Sequence, residues 1–422
     1  MLFKEVSMLN PLRKKHKVHF TLCFGLFLVF SGPIAAVEKV KSNALIEIVD
    51  DALAIHPLMQ LAQAKLDQAK AESRAKGQPL YNPELALQYE SNVDDIRTIG
   101  ISQTIDWSDK QGAQKKIGQQ NLLSAEAEFV SIRQSIAANF LKKINRFQTT
   151  MVAAELNSQQ TDTLSEFVKI AKQRFKVGDI SQVELDLALL AAGEIRMKSA
   201  KIQADYFSAE TELDAFLNFK KILIPDLDIN LVTPDLKSVE EILQEHPRLM
   251  QLRIASKAAK SAISLASRKK NADPTLSINA GKEGSANIVN VGFSMPLFVR
   301  NNFSAQVDSA IANSVAVEQA YLNSYREVLV AVKSTKNALE LTLNAYREWV
   351  NQTQSGLEQR GKLLQKLWKS GELETTDYLV QIQQTLDTQI AATQLKADVI
   401  NAWIDYLIAS GQMDGWLGLA KN

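Results

Sequence analysis

This chain of 422 residues has little cysteine, little histidine and almost no net charge, and each shortage excludes a class of function. The single cysteine, Cys23, lies in an apolar N-terminal stretch, so the rest of the chain can form neither a disulfide nor a thiolate site. Beyond that stretch only His56 and His246 remain, too few for a soft-metal cluster. The formal charge of +1 provides no basic field for nucleic acid. We therefore predict a protein that is not an enzyme, with no metal site, no cofactor and no nucleic-acid partner.

Long hydrophobic runs are also missing, except for one near the N-terminus. Residues 13–17 are mostly basic, residues 20–30 are apolar but too short to cross a bilayer, and residues 31–36 are mostly small. This pattern predicts a secretory signal peptide over 1–36, with translation starting at Met1 or Met8. Leu22 stands where a lipoprotein signal carries a small residue, which disfavours lipidation of Cys23. Because no later apolar run approaches about 18 residues, we expect a periplasmic, secreted or outer-membrane protein.

Proline is absent from two long stretches, although the chain has ten prolines in all. Residues 84–224 and 297–422 contain none, and proline is the residue that most strongly interrupts helices. Apolar residues recur there every three or four positions, which gives each helix one buried stripe. The two stretches therefore predict helices far longer than the average in globular proteins.

Isolated glycines divide these stretches into hairpins. We predict long helices over 110–177 and 303–370, each about 100 Å long at the rise of an α-helix. Gly178 and Gly371 then end them, because glycine readily adopts the left-handed conformation that follows a helix. The chain is predicted to return in two further helices, over 181–216 and 375–410.

The chain repeats its own landmarks in the same order, at an offset that grows from 190 to 193 residues. The pairs are His56-Pro57 with His246-Pro247, Asn82-Pro83 with Asp273-Pro274, Gly100-Ile101-Ser102 with Gly292-Phe293-Ser294, and Val177-Gly178-Asp179 with Ser370-Gly371-Glu372. A duplicated unit of about 180 residues explains this order. We divide the chain after the signal peptide into a first repeat, 37–235, and a second repeat, 236–422.

Each repeat also contains two segments in which apolar and polar residues alternate, as in strands with one apolar and one wet face. The predicted strands cover 84–90, 97–107, 275–281 and 287–297. One interpretation is a small antiparallel sheet packed on the helices. The other, which we favour, is a membrane β-barrel whose apolar face meets lipid. The residues predicted to face lipid are Ile99, Ile101, Val289, Val291 and Phe293.

Four strands are too few to close a barrel, because the smallest membrane barrels have eight. An open sheet edge in lipid would leave backbone groups without hydrogen bonds. The membrane interpretation therefore requires an oligomer: two chains for eight strands or three chains for twelve. The predicted fold is mainly α, with long helix hairpins in tandem and four strands per chain in a shared barrel.

Several segments of the sequence resemble those of a known family. The tandem unit, the segment Asn82-Pro83-Glu84-Leu85 and the segment from Arg174 to Asp179 are similar to those of TolC-like outer-membrane efflux proteins. Ser102-Gln103-Thr104-Ile105-Asp106-Trp107, followed by Lys110-Gln111-Gly112-Ala113, resembles the cobalt-zinc-cadmium branch most. That branch usually reads Gly-Gly-Lys-Arg after the strand, and Ser108-Asp109-Lys110-Gln111 departs from it.

The resemblance implies a homotrimer in outer-membrane lipid, with one twelve-stranded barrel continuous with a trimeric α-barrel in the periplasm. It also implies a passive exit duct of a tripartite efflux system, with a periplasmic adaptor and an inner-membrane pump as partners. The cargo would be divalent heavy-metal cations, and the alternative is the same duct exporting drugs or other small organic molecules. A second alternative for the protein as a whole is a periplasmic coiled-coil scaffold or adaptor. By the same resemblance, the residues at the adaptor-contacting tips are Arg174, Val177, Gly178, Asp179, Ile180, Gly371, Glu372 and Leu373.

Overall fold

The computed structural model describes residues 34–91, 93–218, 223–232 and 237–419. Most of the predicted signal peptide, residues 1–33, lies outside the described residues. The chain divides into two units, residues 1–42 and 43–422. The described part of the first unit is the start of helix α1, and everything that follows concerns the second unit.

The two repeats contain the same series of elements. The first repeat comprises α1 (Ile34–Ile55), α2 (Pro57–Lys76), β1 (Glu84–Glu90), β2 (Ile96–Thr104), α3 (Lys110–Lys176) and α4 (Gln182–Phe216). A short 3₁₀ turn, Ile229–Leu231, precedes the second repeat. The second repeat comprises α5 (Val239–Glu245), α6 (Pro247–Arg268), β3 (Thr275–Glu283), β4 (Ala286–Ser294), α7 (Ser304–Trp349), α8 (Ser355–Lys369), α9 (Thr375–Ala409) and α10 (Met413–Leu417).

Local sequence explains where several helices begin. Ser181 and Ser238 each accept a hydrogen bond from the backbone three residues on, where Glu184 and Glu241 bond back to the serine N–H. These reciprocal bonds satisfy amides that a helix start otherwise leaves free. His56 and His246 each separate two consecutive helices and precede a proline, which is well suited to the first helical position.

The second long helix differs from the prediction of one continuous helix over 303–370. A π-helical turn, Val350–Gln354, separates α7 from α8. Such turns widen a helix by one residue without reversing the chain, so the spacing of apolar residues across them gives little warning. The first long helix, α3, runs without interruption for 67 residues.

The four strands form one antiparallel sheet in the order β1-β2-β3-β4. The register aligns Leu85, Ile101, Ile278 and Val291 in one row across all four strands. The next row, on the opposite face, begins at Glu84 and contains only polar residues and glycine. In the described chain, β1 and β4 are the edges of the sheet, and each has a neighbour on one side only.

The bounds of three strands differ from the prediction, whereas β1 covers the predicted 84–90. The second strand ends at Thr104 rather than 107, because the Asp106 carboxylate accepts hydrogen bonds from the backbone N–H groups of Lys110 and Gln111 and starts α3. The fourth strand ends at Ser294 rather than 297; Pro296 lacks the N–H that a ladder needs. The third strand extends to Glu283 rather than 281, so the β3–β4 turn is shorter than predicted.

Two separate hydrophobic cores hold the helices together. The larger one joins α1, α3, α4, α5, α6, α7, α9 and α10 around residues such as Phe140, Leu141 and Tyr406. The smaller one lies beside the turns that follow α3 and α8, and we call it the tip core. Within the ranges that the structure describes, no helix has an apolar stretch long enough to cross a membrane.

Candidate functional site at the hairpin tips

The turns after α3 and α8 have the same backbone geometry. Gly178 and Gly371 both have a φ of +78°, a region that residues with a Cβ rarely enter. The Asp179 N–H donates to the Arg174 carbonyl at 2.9 Å, and the Gly178 N–H donates to the Phe175 carbonyl at 3.0 Å. This pair of bonds is the Schellman motif that ends many helices. The two hairpin tips are therefore rigid, hydrogen-bonded turns.

The second turn repeats these bonds one for one. The Glu372 N–H donates to the Leu367 carbonyl at 3.0 Å, and the Gly371 N–H donates to the Trp368 carbonyl at 3.1 Å. Glu372 and Gly371 are exposed, and so are their counterparts Asp179 and Gly178. Each repeat therefore has one exposed turn, and the two turns have the same backbone geometry.

Arg174 connects the two tips. Its Nε lies 3.3 Å from the Asp179 carboxylate, and its guanidinium lies 5.2 Å from the centre of the Trp368 ring in the other hairpin. A Cβ added at Gly371 would lie 4.0 Å from an Arg174 guanidinium nitrogen. The cation over the aromatic ring contributes an attraction that depends on this close approach. The structure therefore brings both predicted groups of tip residues together.

Glu184 makes a second connection between the hairpins. Its carboxylate accepts hydrogen bonds from the Ser181 N–H and hydroxyl at 2.7 and 2.9 Å, and the nearby Thr375 hydroxyl of the other hairpin also lowers its pKa. These bonds, chiefly that from the Ser181 backbone, lower the pKa of Glu184. The carboxylate therefore stays charged and keeps the start of α4 in place.

An aromatic cluster in the tip core was not anticipated from the sequence. The Trp368 ring lies 4.4 Å from that of Phe167 and 5.0 Å from that of Tyr378, and Trp368 is 1% exposed. Burial raises the pKa of Tyr378 to about 12, so its hydroxyl stays protonated. Ile180 and Leu373, two of the predicted tip residues, pack against this core from the turns. The available signal in the sequence was Trp368, a large aromatic residue three positions before the turn glycine Gly371.

The predicted lipid-facing residues lie on one face of the sheet. Ile99, Ile101, Val289, Val291 and Phe293 are between 56% and 77% exposed in the single chain. The opposite face is built for close approach between strands. Within it, a Cβ at Gly281 would overlap the Arg97 carbonyl, and one at Gly100 would overlap the Asn279 side chain.

A buried ion pair fixes the sheet to the helices, and sequence analysis missed it. Lys110 Nζ lies 2.8 Å from the Asp273 carboxylate, and both side chains are less than 10% exposed. The Tyr81 hydroxyl donates to the same carboxylate at 2.7 Å, and this bond raises the pKa of Tyr81 to about 12. The sequence did offer one signal for this site. At the position of Asn82 in the first repeat, the second repeat carries the acidic residue Asp273, which is followed by Pro274. The three side chains join the segments before β1 and β3 to the start of α3.

Sequence comparison finds one family. The model for the family described as Outer membrane efflux protein matches residues 48–218 and 238–411. The two matched ranges together cover most of the chain and correspond to one repeat each. No curated protein sequence matches the chain.

Structural comparison finds channels of the same fold at low sequence identity. The Campylobacter jejuni outer membrane channel CmeC is 15% identical, with a TM-score of 0.73 and coverage of 95% of this chain and 94% of the channel. The Vibrio cholerae outer membrane protein VceC is 20% identical, with a TM-score of 0.70 and coverage of 88% and 96%. CusC, studied for folding and transmembrane channel formation, is 17% identical, with a TM-score of 0.70 and coverage of 87% and 92%.

Proposed function

We propose, because the chain belongs to the outer membrane efflux protein family, that it is the exit duct of a tripartite efflux system. The family match makes it an outer-membrane efflux channel with a helical part in the periplasm, and a non-enzymatic one. The same match argues against the alternative that the protein is a periplasmic scaffold or adaptor. The observation that carries the proposal is the match of both repeats to the family, each with its strand pair and its long hairpin.

We propose a homotrimer, and the distribution of helix contacts supports it. Helix α3 packs against both α4 and α9, whereas α4 packs chiefly against α3, and α8 chiefly against α9. The side of α4 away from α3 carries the exposed residues Val183, Leu187, Leu190 and Met197, and α8 carries the exposed Leu363. In a ring of three chains, α4 of one chain would meet α8 of the next. The free edges of β1 and β4 would pair in the same way, giving twelve strands.

Cysteine pairs provide a test of this arrangement. Leu187 and Leu363 lie at about the same distance from their respective tips, so Leu187→Cys with Leu363→Cys should form a disulfide between neighbouring chains. Oxidation should convert the double variant into covalent trimers, measured on denaturing gels. Met197→Cys with Leu363→Cys is the control; Met197 is about 15 Å further along α4 and should not cross-link. Covalent dimers as the end product, or only monomers, would refute the trimer.

We propose that the ring of tips binds the adaptor, through the eight residues predicted from the sequence. The exposed Val177, Asp179 and Glu372 provide apolar and acidic contacts, and the Schellman turns hold them in fixed positions. Single cysteines at Asp179 or Glu372 should cross-link to the adaptor in cells. A cysteine at the exposed Lys116, near the sheet, should not.

Gly178→Val should lower export by about tenfold, because a β-branched residue at a φ of +78° carries strain of roughly 1–3 kcal/mol and reshapes the turn. A Cβ at Gly178 meets no atom within 4 Å, so trimer level should be unchanged. Gly178→Asn should retain most export, because asparagine tolerates this conformation. Gly193→Val, inside α4 and equally unobstructed, is the matched control. Equal export by both valine variants would contradict the assignment of the tip.

We propose divalent heavy-metal cations as the cargo, supported by the likeness of the segment Ser102–Trp107 to the cobalt-zinc-cadmium branch. Deletion of the protein should lower tolerance to Zn²⁺, Co²⁺ and Cd²⁺ while tolerance to dyes and drugs is unchanged. The reverse pattern would assign small organic molecules to the same duct.

A further inference from the structure

Four connections join the helices to the sheet, and all four lie at one end of the sheet. Helices α2 and α6 lead into β1 and β3, whereas β2 and β4 lead into α3 and α7. Gln111, at the start of α3, donates to the Gly77 carbonyl at the end of α2 at 2.7 Å. Lys110 Nζ donates to the Asn271 carbonyl just beyond α6 at 2.6 Å. The ends of these three helices therefore lie at one level, which we call the junction.

Large apolar side chains are exposed at the junction. Thr104 and Ser294, the last residues of β2 and β4, belong to the same row of the sheet. Trp107 and Leu297 each lie three residues beyond that row and are 64% and 75% exposed, and Val299 is 86% exposed. Tryptophan is enriched where lipid meets water, because its ring is apolar and its N–H is polar. These side chains therefore indicate contact with an apolar phase outside the chain.

Basic side chains are exposed at the same junction, in the second turn of α3, directly after α6, and between β4 and α7. They are Lys115, Lys116, Lys269, Lys270 and Arg300. None of them forms an ion pair within the residues that the structure describes. Arg268 Nη1 donates to the Ser108 carbonyl at 2.9 Å. Trp107 and Lys269 are therefore each one residue away from a direct contact between the end of α6 and the start of α3.

Acidic side chains do not neutralise this basic set. Some of them are already paired or cap a helix, and the others are matched by the basic end of α2. The paired or capping ones are Asp109 with Arg268, Asp273 with Lys110, and Asp106 at the start of α3. The exposed Glu72 and Asp308 are matched by Arg74 and Lys76, in the last turn of α2. The junction therefore keeps an excess of positive charge.

Stabilisation of helix ends explains only part of this pattern. Lys269 and Lys270 follow the C-terminal end of α6, where the helix dipole favours a positive charge. Lys115 and Lys116 lie near the N-terminal end of α3, where a positive charge gains nothing from the dipole. Arg300 lies outside the helices. What these residues share is their level in the structure, which favours one negatively charged partner outside the chain.

The length of the strands puts the junction at the surface of the bilayer in the proposed barrel. Strands β2, β3 and β4 have nine residues each, which is about 30 Å along the strand. Tilted as in membrane barrels, such strands cover roughly the 25 Å height of the apolar band. The opposite end of the sheet has more acidic than basic residues, with Asp94, Asp95 and Glu283 beside Arg97 and Lys282. The two headgroup levels therefore differ in charge, and the basic one lies beside the helices.

We propose that the junction binds anionic phospholipid of the phosphatidylglycerol class at the periplasmic surface of the outer membrane. The exposed Trp107, Leu297 and Val299 enter the boundary between lipid and water, and the basic set contacts the phosphate groups. The proposal rests on the proposed membrane barrel and adds to it a selection among lipids by charge.

The test measures how strongly brominated lipids quench the fluorescence of Trp107 in the purified full-length protein, reconstituted in phosphatidylcholine vesicles. The Trp107→Phe protein gives the signal of the other tryptophans, which is subtracted. Brominated phosphatidylglycerol should quench Trp107 with an affinity about fivefold above that of brominated phosphatidylcholine, as expected for one lysine near an anionic surface. NaCl at about 1 M should remove most of this difference, because salt screens exposed charges.

Two double variants with the same loss of charge assign the preference to a place in the fold. Lys269→Gln with Lys270→Gln should lower the preference to about twofold or less, because both side chains belong to the junction. Arg97→Gln with Lys282→Gln is the matched control, since these exposed residues lie at the opposite end of the sheet. The control should keep the wild-type preference.

The outcomes separate this proposal from the proposed barrel. Equal quenching by the two lipids would overturn the proposal and leave the barrel intact. Quenching by neither lipid would put Trp107 outside the membrane and would reject the barrel together with the proposal. A preference that survives the junction double variant, or that is lost equally in the control, would show that other charges select the lipid and would also overturn the proposal.

Discussion

Trp368→Ala should loosen the association of the two hairpins at their tips, with a local loss of about 3–5 kcal/mol. The Trp368 ring is 1% exposed, contacts Phe167 of the first hairpin and Tyr378 of its own, and supports the Arg174 guanidinium. Alanine would leave a cavity among these groups and remove the cation–aromatic contact. Amide hydrogen exchange should accelerate by about a hundredfold at the ends of α3, α4, α8 and α9.

The effect should be confined to the tip, because the larger core is separate from the tip core. Lys362→Ala, at an exposed position of the same helix, is the matched control and should change exchange little. Exchange that accelerates equally along the whole length of α3 would show that the two cores unfold as one unit. Unchanged exchange at the tip would show that Trp368 does not hold the hairpins together.

Arginine at Val291 should reduce assembly of the sheet in the membrane, at a cost of about 2–4 kcal/mol for a charge at mid-bilayer depth. Val291 is 77% exposed and shares a row with Leu85, Ile101 and Ile278 on the apolar face. Ile101→Arg should behave in the same way. The measurement is the fraction of each variant recovered as trimer from outer membranes.

The matched control is the adjacent residue of the same strand. Asn290 lies beside Val291 but points to the opposite, polar face, where it is paired with Asn279. Asn290→Arg should be tolerated better, and so should Ser294→Arg, because both side chains are proposed to face water. A shift of one residue in register exchanges the two faces of a strand, so the reverse order of tolerance would show that the faces are assigned wrongly.

Helix and strand content could be predicted because the relevant signals are local. The prediction of a mainly helical chain with antiparallel strands and family-like architecture is confirmed. Absence of proline and the helical spacing of apolar residues indicated the long helices, and alternation located the strands to within three residues. The ends were less accurate because they depend on single hydrogen bonds, such as those of the Asp106 carboxylate at the start of α3.

The tip core could not be predicted, because the repeats are equivalent in sequence position but not in surroundings. Trp368 corresponds to Phe175 at the offset of 193 residues, yet Trp368 is buried and Phe175 is 37% exposed. Repetition alone predicts the same environment for both. In the described residues the Trp368 ring lies between the two hairpins against Phe167, whereas Phe175 lies at the surface. The buried Lys110–Asp273 pair likewise joins residues 163 positions apart, beyond the reach of any local pattern.

Because the edges of the four-stranded sheet are unpaired, successful folding depends on the rate of association as well as on stability. A chain that has completed its sheet but found no neighbour offers two templates for backbone pairing and a broad apolar surface. Such edges recruit any extended peptide, and this is a recognised route to aggregation. Association requires like chains to meet, so its rate rises faster than in proportion to their concentration. Capture by a holding chaperone removes chains one at a time, so its rate rises only in proportion to that concentration. The yield of functional protein should therefore rise more steeply than its rate of synthesis, until export itself becomes limiting.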